Sequence, residues 1–266
     1  MDFTHILGYF GALIIGLVMG LIGGGGSILS VPIFVYLFAF NPIIATSYSL
    51  FMVGVSSSFG AFKNYRKNNI NFKIAFLFAI PAFVVIYLTR RYFLPQVPEH
   101  LFSIGTLAVT KSIAIMLLFA IVMLYSAILM LKGRKEIVIS DNKSTYNIPK
   151  IVFQAAVIGF FTGLIGAGGG FVIVPALILL GNLSMKQAVG TSLFIISINS
   201  LIGFTGDFGH LVIDWPFLLS FTAIAVIGIL IGTSLSNRVE GAKLKKGFGW
   251  FVLVMATFIL LKELVF

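Results

Sequence analysis

Two glycine clusters contain the residues whose types and spacing are best suited to chemistry. The first is Gly23-Gly24-Gly25-Gly26-Ser27, and the second is Gly166-Ala167-Gly168-Gly169-Gly170. Each cluster directly precedes a short apolar segment, so each would leave free backbone N–H groups at the start of a helix. Helix starts carry the positive end of the helix dipole and bind anions. We therefore predict an anion site formed by Gly24, Gly25, Gly26 and Ser27 together with Ala167, Gly168, Gly169 and Gly170.

Polar side chains on the segments that follow are candidates to complete this site. Ser49 and Ser192 occupy equivalent positions after the two clusters, and Thr191 precedes Ser192. Asn199 lies seven residues after Ser192, which places both on one helix face two turns apart. The alternative is that these groups only form hydrogen bonds between helices, as is common in membrane bundles. We predict Ser49, Thr191, Ser192 and Asn199 as substrate ligands.

Residues for catalysis or metal binding are sparse. The chain has no cysteine, which excludes disulfides, thiolate chemistry and cysteine-ligated metals. Its three histidines, His5, His100 and His210, form neither a metal-ligand spacing nor a triad. Neither glycine cluster is followed by the Lys-Ser/Thr pair of a nucleotide-binding loop. We expect no enzymatic activity, no metal site and no cofactor.

The two clusters belong to an internal duplication with an offset of 143 positions. Gly16–Pro32 aligns with Gly159–Pro175 without a gap, and Ser49-Leu50-Phe51 aligns with Ser192-Leu193-Phe194. Chance matches do not keep one register over such a distance. The predicted organisation is a first transmembrane repeat, a polar cytoplasmic linker and a second transmembrane repeat, at 1–131, 132–150 and 151–266.

Composition places both repeats in a membrane. Of the 266 residues, 59% are hydrophobic and only 10% are charged, whereas soluble domains carry about 25% charged residues. Each half contains five apolar stretches, and those at 28–40 and 171–181 are shorter than the roughly 20 helical residues that a bilayer requires. We predict that each short stretch forms a glycine-broken or re-entrant pair with the segment before its cluster. The net charge of +10 is attributed to basic cytoplasmic loops rather than to nucleic-acid binding.

Basic residues predict the orientation of the two repeats. Loop 63–73 carries four Lys or Arg and no acid, whereas the equivalent loop 206–215 carries two Asp and no Lys or Arg. By the positive-inside rule the first loop is cytoplasmic, together with 132–150 and 237–247, and the second is external. Equivalent loops on opposite sides indicate inverted repeats, which are typical of secondary transporters.

Charge inside the predicted membrane core is nearly absent. Arg90 and Arg91 fall in an outer loop in this arrangement, and Asp207 is interpreted as a loop residue that follows a helix. Lys111 and Lys186 lie near helix starts, from which lysine side chains can reach the interface. We therefore expect no buried Lys or Arg that could neutralise an anion.

The doubled motif resembles the signature of the TauE/SafE sulfite exporter family. It reads Gly20-Leu-Ile-Gly-Gly-Gly-Gly-Ser27 in the first half and Gly163-Leu-Ile-Gly-Ala-Gly-Gly-Gly170 in the second, and the copies end in Val31-Pro32 and Val174-Pro175. The resemblance covers nearly the whole chain. It implies an integral membrane transporter of small anions, mostly sulfite, sulfonates or related sulfur compounds. Because Ser27 stands where the second copy has Gly170, the two half-sites are expected to contact the substrate unequally.

These observations predict an all-α polytopic bundle of two inverted repeats in the cell (inner) membrane. Its expected function is to move a small sulfur-containing anion by alternating access. A carrier of small organic carboxylates and an anion channel are the alternatives, although a channel should show a continuous hydrophilic lining or charged rings. The expected partners are the anionic substrate and membrane lipid, but no nucleic acid. A homodimer is left open.

The predicted orientation can be tested by labelling, because the chain contains no cysteine. Asn68→Cys and His210→Cys place single thiols in the two equivalent loops. An impermeant thiol reagent added to whole cells should label position 210 and leave position 68 unlabelled. Labelling of both positions from outside would contradict the inverted arrangement.

Overall fold

The computed structural model describes residues 3–104, 107–132, 148–181, 183–207, 209, 211–236 and 241–265. Its helices in chain order are α1 (Phe3–Ile22), α2 (Ser30–Tyr36), α3 (Pro42–Arg66), α4 (Phe72–Leu88), α5 (Leu94–Gln96), α6 (Lys111–Leu131), α7 (Ile148–Ile165), α8 (Gly170–Gly181), α9 (Met185–Thr205), α10 (Trp215–Leu235) and α11 (Gly241–Val265). A 3₁₀ helix, Gly24–Leu29, precedes α2, and a π-helical turn, Thr89–Phe93, joins α4 to α5.

The architecture is that of a polytopic helical membrane protein, as predicted. Within the part of the chain that the structure describes, seven helices are long and apolar enough to cross a bilayer. They are α1, α3, α4 with its continuation to Gln96, α6, α7, α9 and α10. Many of their large apolar side chains point outward, which is the surface that lipid requires. Most of the predicted linker, at 133–147, and part of the loop at 237–247 lie outside the described residues.

A small β-sheet was not predicted. Strands β1 (His100–Ile104) and β2 (Leu107–Thr110) pair antiparallel, with Ser103 opposite Ala108. Short apolar runs look alike in strands and helices, so the apolar residues of β2 cannot be told from the start of the following helix in the sequence. That helix, α6, begins at Lys111 because the Thr110 side chain accepts a hydrogen bond from the backbone N–H of Ile113. This cap ends the strand and starts the helix.

Side-chain caps also fix where α3, α4 and α10 begin. The Asn41 side chain accepts from Ile43 N–H and Pro42 occupies the first turn, while Asn71 accepts from Ile74 N–H. The Asp214 side chain caps α10, and its backbone N–H donates to the Tyr48 hydroxyl of α3 at 2.7 Å. These bonds satisfy helix-end N–H groups that would otherwise lack partners.

Glycines allow two pairs of helices to approach backbone to backbone. On α1, a methyl group at Gly16 would lie 2.0 Å from the carbonyl oxygen of Ala225 on α10. On α7, a methyl group at Gly159 would lie 2.6 Å from the carbonyl oxygen of Ala82 on α4. Gly16 and Gly159 are equivalent at the offset of 143, as are Ala82 and Ala225. Each half therefore contributes the partner for the first helix of the other half.

Both glycine clusters interrupt a helix, as predicted. Helix α1 ends at Ile22, and Gly23 has a φ of +85° that side-chain-bearing residues rarely adopt. Helix α7 ends at Ile165, and its equivalent glycine, Gly166, has a φ of +72°. The segment after the second break, α8, has 12 residues and a length of about 18 Å at 1.5 Å per residue. It is too short to cross a bilayer alone.

The importance of the α1–α10 approach can be tested with a matched pair of substitutions. Gly16→Ala should lower the thermal unfolding temperature, because the added methyl overpacks the interface at a cost of about 1–3 kcal/mol. Gly247→Ala lies in α11 with nothing within 4 Å, and should leave stability unchanged or raise it through helix propensity. Thermal unfolding of detergent-purified protein measures both, and equal effects would contradict the packing described.

Candidate anion-binding site

The two helix breaks lie directly against each other in the interior of the bundle. A methyl group at Gly24 would lie 2.2 Å from Cα of Gly170, and the reverse substitution would clash equally. The Ser27 hydroxyl lies within hydrogen-bond distance of two carbonyl oxygens, its own Gly24 at 2.7 Å and Ala167 across the contact at 2.5 Å. All four residues are buried. We call this contact between the two breaks the glycine crossing.

The contacts of the glycine crossing are reciprocal. Gly24 corresponds to Ala167 at the offset of 143, and Ser27 corresponds to Gly170. Residue 24 of the first break meets residue 170 of the second, and residue 27 meets residue 167. Exchanging the two halves therefore maps one contact onto the other.

The two breaks differ in local backbone. The first is a 3₁₀ helix in which Gly26 packs against the α1 backbone at Ile15 and Met19, and Gly25 is buried beside it. In the second, Gly168 and Gly169 both have φ of +67°, and a methyl group at Gly169 would lie 2.3 Å from the Thr162 hydroxyl oxygen. Any residue other than glycine is strained at these two positions. The difference in sequence between Ser27 and its equivalent, Gly170, is thus accompanied by different backbone conformations.

A chain of hydroxyls connects the crossing to α3. The Ser30 hydroxyl donates to the Ser27 carbonyl at 2.6 Å, and the hydroxyl oxygens of Ser30 and Ser49 are 2.5 Å apart. Since Ser30 has only one proton to donate, Ser49 is the donor between them. All three serines are fully buried. Ser49, predicted as a ligand, thus supports the first break.

The predicted ligands on α9 fall in different surroundings. Ser192 lies beside the first break, where a methyl group at Gly23 would be 2.9 Å from its hydroxyl oxygen, and it donates to the Val189 carbonyl of its own helix. Thr191 instead accepts a hydrogen bond from the backbone N–H of Asn71, at the start of α4. Asn199 is buried, and its side-chain carbonyl oxygen has no hydrogen-bond partner among the described residues.

Four buried polar side chains, which form matched pairs on α3 and α9, each have an oxygen atom without a hydrogen-bond partner among the described residues. Ser56 and Ser57 on α3 correspond at the offset of 143 to Asn199 and Ser200 on α9. In the described part of the chain, the hydroxyl oxygens of the three serines and the Asn199 carbonyl oxygen have no hydrogen-bond partner. Ser200 is next to the second break, since a methyl group at Gly168 would lie 3.0 Å from its hydroxyl oxygen. Leaving such a group unpaired costs about 1–3 kcal/mol.

The structure corrects the expectation that no Lys or Arg is buried. Arg90, assigned to an outer loop, lies in the π-helical turn within the span Phe72–Gln96 and is only 1% exposed. Its Nη1 donates to Asp207 Oδ2 at 2.8 Å, and Asp207 is likewise buried. Lys111 is also buried rather than extended to the interface. The sequence-based assignment was wrong because each charge was considered alone, whereas a paired charge can be buried.

Arg90 is placed beside the second break. A methyl group at Gly166 would lie 2.7 Å from Arg90 Nη2 and 2.5 Å from the Thr46 carbonyl oxygen. Among the described residues, Arg90 Nε and Nη2 have no hydrogen-bond partner, and neither has the hydroxyl of Ser47. One end of the crossing therefore carries a buried cation with unused donors.

A groove of about 530 Å³ lies elsewhere, on the outer face between α3 and α10. It is lined by Phe59, Phe62, Lys63, Arg66, Ile227, Leu230, Ile231 and Ser234. None of these residues belongs to either glycine cluster. The groove is therefore separate from the candidate anion site.

Comparison with known proteins decides the family. The profile described as "Sulfite exporter TauE/SafE" matches residues 9–259, which include both breaks and both polar pairs. The chain belongs to the TauE/SafE family. Membership identifies it as a membrane transporter.

Its relatives are named as transporters. The TauE/SafE chain is 29% identical over 252 residues to a probable membrane transporter protein of Xylella fastidiosa, covering 93% of this chain and 91% of the relative. A probable membrane transporter protein of Methanocaldococcus jannaschii is 30% identical over 202 residues, with coverage of 72% and 69%. One from Bacillus subtilis is 26% identical over 232 residues, with coverage of 85% and 88%. No solved structure matches the chain.

Some residues of this TauE/SafE protein could have been selected from sequence. Ser57 and Ser200 are identical at the offset of 143, which is the same signal that selected Ser49 and Ser192. Arg90 is followed after Arg91 by Tyr92-Phe93-Leu94, so the apolar run continues past it and the arginine falls inside the span. Its pairing with Asp207, 117 residues away, has no local signature.

The bond across the crossing can be tested in the TauE/SafE protein by Ser27→Ala. The variant removes the donor to Ala167 and leaves a buried carbonyl oxygen without it, a loss of about 1–3 kcal/mol. Ser58→Ala is the control, because the Ser58 hydroxyl donates only within its own helix, to Gly54. The thermal unfolding temperature should fall clearly for Ser27→Ala and little for Ser58→Ala. If the stability of the crossing does not depend on this bond, the unfolding temperature will change by the same small amount in both variants.

Proposed function

We propose that this TauE/SafE protein is a secondary transporter that moves a small sulfur-containing anion, such as sulfite or a sulfonate, across the cell membrane. The observation behind the proposal is the glycine crossing together with the unpartnered polar pairs on α3 and α9. The substrate class also agrees with the description of the family. The cell (inner) membrane is the proposed location.

The polar pairs support a binding role because they are costly for the fold. A buried hydroxyl or amide without a partner destabilises the folded state, and a bundle optimised only for packing would replace it with an apolar residue. Here Ser56, Ser57, Asn199 and Ser200 occur at equivalent positions of both halves. A small anion that gives up its hydration needs hydrogen-bond donors, which the three serine hydroxyls can supply together with backbone N–H groups at helix starts.

Reciprocal contacts support two repeats related by a two-fold axis, and the charges of the equivalent loops favour opposite orientation. The crossing maps onto itself when the halves are exchanged, and so does the pairing of α1 with α10 and of α7 with α4. A two-fold axis in the membrane plane would produce this exchange and would also place loops 63–73 and 206–215 on opposite sides. In this arrangement each broken pair is re-entrant, and the two breaks meet near the middle of the membrane.

The close packing of the crossing supports alternating access as the proposed mechanism. Gly24 and Gly170 are in backbone contact, and Ser27 bridges to Ala167, so no anion fits between these residues as they stand. We propose that the two breaks separate to admit the substrate and close behind it. A fixed open pore would not need this rearrangement, which favours a carrier over a channel.

The polar pairs provide the most direct test of the site. Ser200→Ala removes a hydroxyl that makes no hydrogen bond in the described structure, so the variant should fold with unchanged or higher stability. If the hydroxyl binds the anion, substrate affinity should fall by at least about ten-fold, because a hydrogen bond to a charged group contributes about 1.5–3 kcal/mol and every 1.4 kcal/mol is ten-fold. Ser126→Ala is the control, because its hydroxyl is satisfied within α6 by the Val122 carbonyl.

The measurement combines thermal unfolding with uptake of sulfite into proteoliposomes. Saturable uptake by the unchanged protein, reduced by Ser200→Ala but not by Ser126→Ala, is the expected result. Substrate specificity is read from competition by methanesulfonate and acetate, where preference for acetate would indicate a carboxylate carrier instead. Non-saturating flux would indicate a channel, and unchanged affinity in Ser200→Ala would place the site elsewhere.

A further inference from the structure

Arg90 has an unusual hydrogen-bond state for a buried guanidinium. It is 1% exposed and lies within an apolar span, where charges are costly and usually satisfied. Only Nη1 has a partner among the described residues, and this partner is Asp207 Oδ2 at 2.8 Å. Nε and Nη2 are buried without hydrogen bonds.

The two unused donors are on the same edge of the guanidinium. Nε–H and Nη2–H point in parallel and form the fork that binds two oxygens of one carboxylate, sulfur oxyanion or phosphate. Asp207 contacts the other side of the group through Nη1 and leaves this fork unused. An ion pair that served only to join α4 to α9 would be expected to use the fork, since bidentate pairing is the stronger geometry.

The position of the fork connects it to the glycine crossing. Gly166, the first residue of the second break, is so close to Nη2 that a methyl group there would lie 2.7 Å away. Gly166 also has a φ of +72° and packs against Thr46, so a side chain is excluded on two grounds. Glycine at this position keeps the guanidinium accessible from the break.

Only one end of the crossing has this arrangement. At the offset of 143, Arg90 corresponds to Thr233 and Asp207 corresponds to Asn64. Thr233 donates to the Ile229 carbonyl and Asn64 donates to the Gly60 carbonyl, each within its own helix. The two ends therefore differ by a buried ion pair.

We propose that Arg90 is the substrate-binding residue that supplies the positive charge, and that its Nε/Nη2 fork holds two oxygens of an oxyanion at one end of the glycine crossing. This inference rests on the proposed transport function and narrows its substrate class to anions with two oxygens on one atom. Asp207 is a positioning residue, which holds Nη1 so that the fork faces the second break.

The test uses two variants, and neither of them leaves one charge of the ion pair buried without its partner. Arg90→Lys keeps the cation beside Asp207 but has no fork, and Arg90→Gln/Asp207→Asn removes both charges together. Lys67→Gln is the control for general electrostatics, since Lys67 is an exposed cation whose Nζ donates to the Thr233 carbonyl. Correct folding is checked by thermal unfolding and by monodisperse elution from a sizing column.

Binding of sulfite and of methanesulfonate is measured by calorimetry, with chloride as a competing anion that has no oxygens to fit the fork. Both Arg90 variants should bind the oxyanions at least about ten-fold more weakly than the unchanged protein. Arg90→Lys should also lose preference for the oxyanions over chloride. Lys67→Gln should bind as the unchanged protein does.

The outcomes separate this inference from the proposed function. Unchanged oxyanion affinity and preference in both folded Arg90 variants would show that the ion pair is structural, while the transport proposal would stand. If only the double variant unfolds, Arg90→Lys still decides whether the fork binds the oxyanion, because lysine preserves the ion pair with Asp207. Failure of the unchanged protein to bind either oxyanion would overturn the proposed function and this inference with it.

Discussion

The contact between Gly24 and Gly170 is the constraint on which the other features of this protein depend. Non-helical backbone survives inside a membrane protein only when it is surrounded by protein or by a polar cavity. Here each break is packed against the other and against neighbouring helices, and Ser27 satisfies the Ala167 carbonyl across the contact. The approach requires glycine at both positions, because a single methyl group would overlap the opposite backbone. The glycine clusters therefore both interrupt the helices and allow the interruptions to be buried.

Burial of polar groups around the crossing connects this packing to transport. An anion in the membrane interior must exchange its water shell for protein donors. The structure supplies backbone breaks, unpartnered hydroxyls such as that of Ser200, and the Arg90 guanidinium with its unused fork. A site with too many fixed charges would retain its substrate, whereas one cation with Asp207 as its neighbour keeps the local charge balanced. Weak, distributed binding suits a carrier that must also release.

A feature of this fold is predictable from the sequence when neighbouring residues determine it, and it is not when distant helices determine it. The breaks at Gly23 and Gly166 were predictable, because consecutive glycines before a short apolar segment permit few other structures. The offset of 143 likewise relates Ser56–Ser57 to Asn199–Ser200 without any coordinates. That residue 24 meets residue 170 was not predictable in detail, since it depends on how distant helices pack.

The misassigned residues show the limit of the sequence rules. Arg90 was placed outside the membrane because basic residues are usually found in loops, and its partner is 117 residues away. The strands at 100–110 were missed because their apolar residues adjoin a long helix. Thr191, predicted as a ligand from its position beside Ser192, receives the Asn71 backbone N–H, a contact that the sequence does not show, and its role as a ligand stays a prediction. In the first two cases a tertiary contact determines the role of the residues.

The central claim is that the two breaks meet and must separate during transport. Since the chain has no cysteine, Ser27→Cys/Ala167→Cys places one thiol on each side of the crossing without background. Oxidation should cross-link the pair in high yield and abolish saturable sulfite uptake into proteoliposomes, and a reducing agent should restore it. Each single-cysteine variant should be insensitive to oxidation. Failure of the pair to cross-link, or full uptake by the cross-linked protein, would contradict the account.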